Sequence, residues 1–85
     1  MKLKKEFITH MSGDEQLMIS AGGTFNGMVR SNKTAAFIID MLGTDTTKEN
    51  IVAAMLERYD ADEAVISADV DKVIAALRSI GAIDE

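Results

Sequence analysis

The fold is decided by residues 25–38, FNGMVRSNKTAAFI, where the hydrophobic pattern changes its period. Before Asn32, residues 25–31 have the length and composition of a β-strand. After it, residues 33–42 are apolar around most of a helical circumference, which indicates a buried helix. Asn32 is a good N-cap, because its side-chain oxygen can accept an otherwise unpaired backbone N–H. The stretch therefore predicts a strand that leads directly into a helix.

Two more runs of strand length precede this stretch, at residues 6–10 and 16–20. The segment between them, Ser-Gly-Asp-Glu at 12–15, is typical of a tight turn. Residues 21–24 break the pattern again, with a Gly-Gly-Thr that lacks the lysine of a phosphate-binding loop. Asn26-Gly27 is also a favoured hairpin dipeptide, which leaves the start of the third strand open. We predict a three-stranded antiparallel meander.

Two further helices follow the first. Gly43 is predicted to end the first helix in the left-handed conformation. Thr46 and Glu49 have the spacing of a capping box, which predicts the start of the second helix. The apolar face of that helix is expected to contain Ile51, Val52, Met55, Leu56 and Tyr59.

The third helix is predicted to begin between Asp60 and Asp62 and to end near Ile80, before Gly81. Its apolar stripe is Ile66, Val70, Val73, Ile74, Leu77 and Ile80. Ala82 and Ile83 are expected to pack back onto the core. Together these elements predict one domain over residues 1–85. Its class is α+β, with a three-stranded antiparallel sheet followed by a winged-helix-like three-helix bundle.

Composition narrows the function classes. The 85 residues carry a net charge of −5 with scattered basic residues, which argues against nucleic-acid binding. No apolar run has the roughly 18–20 residues of a membrane span, and no signal-peptide core follows the basic N-terminus. We expect a cytoplasmic protein that binds neither nucleic acid nor membrane.

The residues with reactive side chains do not form a recognisable catalytic or metal motif. His10 is the single histidine and there is no cysteine, so we predict no metal site and no nucleophile–base pair. The carboxylates between Asp60 and Asp71 fit helix starts and solvent-facing positions. We therefore predict no catalytic residue, no cofactor and no enzymatic activity.

The ordered set of these segments resembles the PqqD-like family, across about residues 5–84. The passage 25–38 is similar to the family's strand-to-first-helix step, and 46–52, TTKENIV, is similar to the start of its second helix. Asp69-Val70, Val73-Ile74, Leu77 and Gly81-Ala82-Ile83 resemble its closing pattern.

The resemblance implies a RiPP recognition element, a non-catalytic domain that binds the leader of a ribosomally made precursor peptide. It implies presentation of that peptide to a maturing enzyme, such as a radical SAM enzyme. The leader is implied to add as a strand beside the third strand, a known mode of peptide recognition. Because the chain has no proline or tryptophan, unlike many relatives, we expect a peptide pathway other than that of pyrroloquinoline quinone.

Carried onto this sequence, the resemblance assigns two groups of peptide-binding residues. The edge strand is Gly27, Met28, Val29, Arg30 and Ser31, and the third helix contributes Val65, Asp69, Lys72, Val73 and Ala76. Arg30, Asp69 and Lys72 would supply charge selectivity.

Two alternatives stay open at this point: a winged-helix DNA-binding domain, and a structural module that dimerises through its exposed strand edge. The sequence does not decide between a monomer and a homodimer, nor does it name the peptide.

Overall fold

The computed structural model describes residues 1–22 and 25–85, so Gly23 and Thr24 of the predicted break lie outside the described residues. The described elements are, in chain order, β1 (Lys2–Leu3), β2 (Phe7–Ser12), β3 (Glu15–Ser20), β4 (Met28–Ser31), α1 (Lys33–Met41), α2 (Lys48–Arg58), α3 (Glu63–Ser79) and β5 (Ile83–Asp84). A three-stranded antiparallel sheet, β2-β3-β4, is followed by three helices. The predicted α+β class is confirmed.

Tight turn chemistry sets the register of the sheet. Ser12 pairs with Glu15, which leaves Gly13 and Asp14 as a two-residue turn, and Gly13 takes φ of +63°. That conformation favours glycine, as the sequence predicted. From this turn the register places Met18 opposite both Thr9 and Val29. The inner face of the sheet thereby points its apolar side chains at the helices.

Side chains cap the starts of α1 and α2, with one correction to the prediction. Asn32 caps α1 as predicted, and its Oδ1 accepts from the N–H of Ala35 at 2.9 Å. The predicted capping box at Thr46 is wrong, because Thr47 is the N-cap of α2 and its Oγ1 accepts from the N–H of Asn50 at 3.2 Å. The backbone of Thr46 pairs instead with Met1, donating to its carbonyl at 2.9 Å. This pairing moves the helix start by one residue.

The glycines at the helix ends behave differently from each other. Gly81 follows α3 with φ of +71°, which confirms its predicted role as the helix stop. Gly43 does not take the predicted left-handed conformation. Glycine is favoured here for another reason, because a Cβ at this position would lie 3.1 Å from the carbonyl oxygen of Asp40. The prediction for Gly43 was therefore wrong in geometry, although α1 ends beside it.

One core unites the sheet and all three helices. Its buried members are Phe7, Met18, Ile38, Ile39, Leu42, Ile51, Met55, Ile66, Val70, Ile74, Leu77, Ala82 and Ile83. The predicted stripe of α3 is confirmed at four fully buried positions, while Val73 and Ile80 are half-buried against the same core. In α2, Ile51 and Met55 are buried, and Val52, Leu56 and Tyr59 are packed at the edge. None of the described helices has the length and apolar composition of a membrane span.

The chain ends form a small second sheet that the sequence did not predict. Strand β1 pairs antiparallel with β5, with Lys2 opposite Asp84 and Leu3 opposite Ile83. The ammonium group of Met1 donates to Asp45 Oδ1 and to the carbonyl of Thr46, both at 2.8 Å. That hydrogen bond holds the pKa of the Asp45 carboxyl below its usual value of 3.8, assisted by the ammonium charge. Ile83 packs back onto the core as expected.

Candidate functional site

Strand β4 lies at the edge of the described sheet, beside β3. Its side chains alternate: Val29 and Ser31 turn toward the helices, and Met28 and Arg30 are exposed. Gly27 was predicted to belong to this edge strand but precedes it, with a glycine-favouring φ of +153°. An edge strand offers backbone donors and acceptors to a further strand.

An apolar row crosses the outer face of the sheet and ends at this edge. Ile8 pairs with Ile19, and Ile19 pairs with Met28. The three side chains are 51%, 46% and 46% exposed. Large apolar side chains aligned on neighbouring strands contact each other across the ladder. A fourth strand beside β4 would extend this row by one position.

A concave groove of about 230 Å³ lies between α1 and α3, and we call it the α1–α3 groove. Its walls are Asn32, Thr34, Ala35, Ile38, Asp69, Lys72 and Val73. Asn32 directly follows the last residue of β4, so the groove begins where the edge strand ends. The floor contains Ile38, which belongs to the core, and Val73, which is packed against it. The groove is therefore apolar at depth.

The polar groups of the groove differ in sign and exposure. Lys72 is exposed and Asp69 is half-buried, and neither forms an ion pair within the described residues. The Asn32 side chain is engaged as the cap of α1. Thr34 stands in the first turn of α1, which contains no acidic residue. A bound chain would thus meet one cation, one anion and a hydroxyl at the rim.

Only some of the predicted residues meet in one place. Asp69, Lys72 and Val73 line the groove together. Val65 and Ala76 are exposed on α3 and do not line it, and residues 27–31 do not line it either, although Asn32, which follows them, does. The α1 wall was not predicted from the sequence; it consists of Asn32, Thr34, Ala35 and Ile38. Ile38 follows Ala35 by three residues and Thr34 by four, and this spacing, which makes side chains neighbours on a helix, was the available signal.

A partly buried hydrogen bond links the sheet to α1. Gln16 on β3 is only 2% exposed, and its Nε2 donates to Asp40 Oδ1 on α1 at 2.9 Å. Gln16 is also the cross-strand partner of Ser31, the last residue of β4. Its Oε1 has no hydrogen-bond partner among the described residues. The contact therefore links the end of the edge strand to the helix that forms one wall of the groove.

The charges on α3 bear on the DNA-binding alternative. Arg78 is engaged by Glu85, and Asp71 is paired with Lys48 at 2.8 Å. Lys72 is left as the unpaired cation of this helix within the described residues. A recognition helix needs several cations to contact phosphates. The described surface of α3 does not have them.

Comparison with known proteins supports the expected resemblance. Residues 15–83 match the family model described as Coenzyme PQQ synthesis protein D (PqqD). No curated protein sequence matches the chain.

Two solved structures share the fold. One is described as TbiB1 in complex with the TbiA(beta) leader peptide, with a TM-score of 0.80, 19% identity, and coverage of 99% of this chain and 100% of that one. The other is lasso peptide synthetase B1 complexed with the leader peptide, with a TM-score of 0.78, 15% identity, and coverage of 95% and 93%. At such identities these structures establish a shared fold. The family match covers β3, β4, all three helices and Ile83, so this chain belongs to the PqqD family.

Proposed function

We propose that this chain binds the leader of a ribosomally synthesised precursor peptide and presents it to a maturing enzyme, without a catalytic role of its own. The leader pairs with the outer edge of β4, and its inward side chains enter the α1–α3 groove. The observation that carries the proposal is the position of that groove, which begins at the residue directly after β4. The family and the two leader-bound structures of the same fold support it.

The exposed side chains of β4 indicate which leader residues fit. Side chains of an added strand that point to the outer face stand beside Met28 and Arg30. An apolar residue beside Met28 extends the row of Ile8 and Ile19, and an acidic residue beside Arg30 gains an ion pair. The leader is therefore expected to alternate, with apolar residues toward the groove and an apolar–acidic pair, two residues apart, on the other face.

The remaining parts of the proposal follow from the family resemblance. The receiving enzyme is a radical SAM enzyme or another maturing enzyme, and the complex forms in the cytoplasm. The peptide-binding residues are Met28, Val29, Arg30 and Ser31 on the strand, with Gly27 before it, and Val65, Asp69, Lys72, Val73 and Ala76 on α3. To these we add the α1 wall of the groove, Asn32, Thr34, Ala35 and Ile38.

Dimerisation through the β4 edge is the competing use of the same surface, because one edge cannot pair with a leader and a second copy at once. A monomer that binds one leader is the state that the proposal requires during presentation. Added leader should therefore dissociate any edge-paired dimer.

A bulky side chain placed in the groove tests the proposal by steric exclusion, so the test does not depend on the leader's charges. The ¹⁵N-labelled chain is titrated with the leader encoded beside its gene, in the parent, in Ala35→Phe and in Ala75→Phe. Ala35 lines the groove, whereas Ala75 is exposed on α3 and does not. We expect Ala35→Phe to weaken binding by about tenfold, roughly 1.4 kcal/mol. The control should bind within about twofold of the parent.

The amide shifts should concentrate at residues 28–31 and 69–73. Saturating leader with no shifts in these segments would contradict the proposed site, as would equal affinity of Ala35→Phe and the parent. Binding of duplex DNA without binding of the leader would favour the DNA-binding alternative.

A further inference from the structure

A second pocket lies between α2 and α3, and we call it the α2–α3 pocket. Its volume is about 410 Å³, and its walls are Lys48, Glu49, Val52, Ala53, Leu56, Glu63 and Ser67. The apolar floor consists of Val52 and Leu56, which are half-buried at the edge of the core, together with Ala53, which is exposed. No residue of this pocket lines the α1–α3 groove. The two sites can therefore be occupied together.

The rim of this pocket is acidic. Lys48 is neutralised by Asp71, since its Nζ lies 2.8 Å from Oδ1 and 2.9 Å from Oδ2 of that carboxylate. Glu49 and Glu63 remain without an ion pair within the described residues. Their place in the first turns of α2 and α3 accounts for one helix-dipole interaction each. It does not account for the apolar floor that they flank.

The pocket also lies in the acidic part of the chain. Residues 43–71 contain eight carboxylates and two basic side chains, whereas the net charge of the whole protein is −5. This segment therefore carries more negative charge than the molecule as a whole. Clustered charge of one sign steers partners of the opposite sign and disfavours partners of the same sign.

We propose that the α2–α3 pocket docks a basic segment of a second protein, in which a large apolar side chain enters between Val52 and Leu56 while lysine or arginine residues face Glu49 and Glu63. A symmetric dimer through this pocket fits poorly, because two acidic rims would meet. The leader is assigned to the other site. The identification of the second protein as the maturing enzyme rests on the proposed function. The basic and apolar character of the docked segment is inferred from the residues of the pocket alone.

Two surfaces on different sides of α3 suit an adaptor. A module that hands a peptide to another protein must hold both partners at once, and a single shared surface would make them compete. Occupied separately, the two sites raise the effective concentration of the peptide at its recipient.

The test uses a synthetic amphipathic peptide of leucine and lysine, and a leucine–glutamate peptide of the same spacing, each titrated into the ¹⁵N-labelled chain. The variant Glu49→Gln/Glu63→Gln removes the two rim charges. The control, Glu57→Gln/Asp60→Asn, removes the same number of charges from exposed positions outside the pocket. We expect the lysine peptide to shift the amides of residues 48–56 and 63–67, and the rim variant to bind it about fivefold more weakly. The control should change by less than about twofold.

Three results would overturn the inference: equal weakening by both variants, equal binding of the glutamate peptide, or shifts centred on residues 28–31. None of these measurements requires the leader. The α2–α3 pocket can thus fail while leader binding at β4 holds, and the reverse.

Discussion

Replacement of Asp40 with alanine removes the acceptor of the buried Gln16 amide and leaves that N–H without a partner. The two atoms lie 2.9 Å apart, and Gln16 is 2% exposed. A hydrogen bond to a charged group contributes about 1.5–3 kcal/mol. Because Asp40 is exposed to solvent, screening favours the lower end of that range. We expect a loss of about 1.5 kcal/mol, or roughly 6–12 °C in Tm.

The matched control is Asp40→Asn, which removes the same charge from the last turn of α1 but keeps an acceptor oxygen. Any gain from relieving the helix dipole is common to both variants. Asp40→Asn should therefore lie between the parent and Asp40→Ala. Gln16→Leu provides the opposite comparison, because it removes a buried amide whose Oε1 already lacks a partner. The free energy of unfolding of Gln16→Leu should stay within about 1 kcal/mol of that of the parent, since the buried amide N–H and the buried Oε1 are removed together.

Urea unfolding at neutral pH, followed by circular dichroism, gives the free energies of unfolding of the parent and the three variants. A Gln16→Leu variant less stable than Asp40→Ala, or equal free energies of unfolding for Asp40→Ala and Asp40→Asn, would refute this role of the Gln16–Asp40 hydrogen bond. A second readout follows from position, because Gln16 is the cross-strand partner of Ser31 at the end of β4. Loss of the contact should also shift the amides at the start of α1.

The remaining predictions concern the cap of α1 and the acid response of the chain. Asn32→Ala should lower the free energy of unfolding by about 1 kcal/mol, because the hydrogen bond from the N–H of Ala35 is lost. Asn32→Asp should preserve most of the stability. Thermal unfolding compares the two variants, and equal Tm values would contradict the capping role of Asn32. The Asp45 pKa is lowered by the hydrogen bond from the Met1 ammonium, so its stabilisation is present above the usual value of 3.8 and is lost as pH falls through the lower, folded pKa. Asp45→Asn should therefore be less stable than the parent at pH 6, and the two should converge as pH falls through the folded pKa of Asp45. Urea unfolding midpoints measured from pH 6 downward test this prediction. A stability difference between Asp45→Asn and the parent that is constant with pH would contradict it.

Much of the fold could be predicted because its signals are local. The cap at Asn32, the turn at Gly13 and the stop at Gly81 each depend on the backbone of a few neighbouring residues, and all three are confirmed. The errors at Thr46 and Gly43 have a different origin. Pairing with Met1, distant in sequence, displaces the start of α2 to Thr47, and close contact with a carbonyl explains Gly43. Local patterns contain neither interaction.

The candidate site was predictable one element at a time. Length and composition indicated a strand at residues 25–31, and the resemblance indicated the side of α3 that contains Asp69 and Lys72. The groove itself depends on how α1 packs against α3, and helical periodicity does not encode that crossing. The α1 wall at Thr34 and Ala35 was missed for this reason. The binding role of these residues stays a prediction, as does the winged-helix description.

The pairing of β1 with β5 has a consequence for protein engineering. Paired Cα atoms in an antiparallel ladder lie about 4.5–5.5 Å apart, so Lys2 and Asp84 leave the domain side by side. A host protein could accept the whole module in a surface loop without separating the two ends of that loop. A short peptide could equally join them in a circular permutant, with new termini in the two-residue turn at Gly13. The proposed peptide-binding site could then be moved between scaffolds as one cassette.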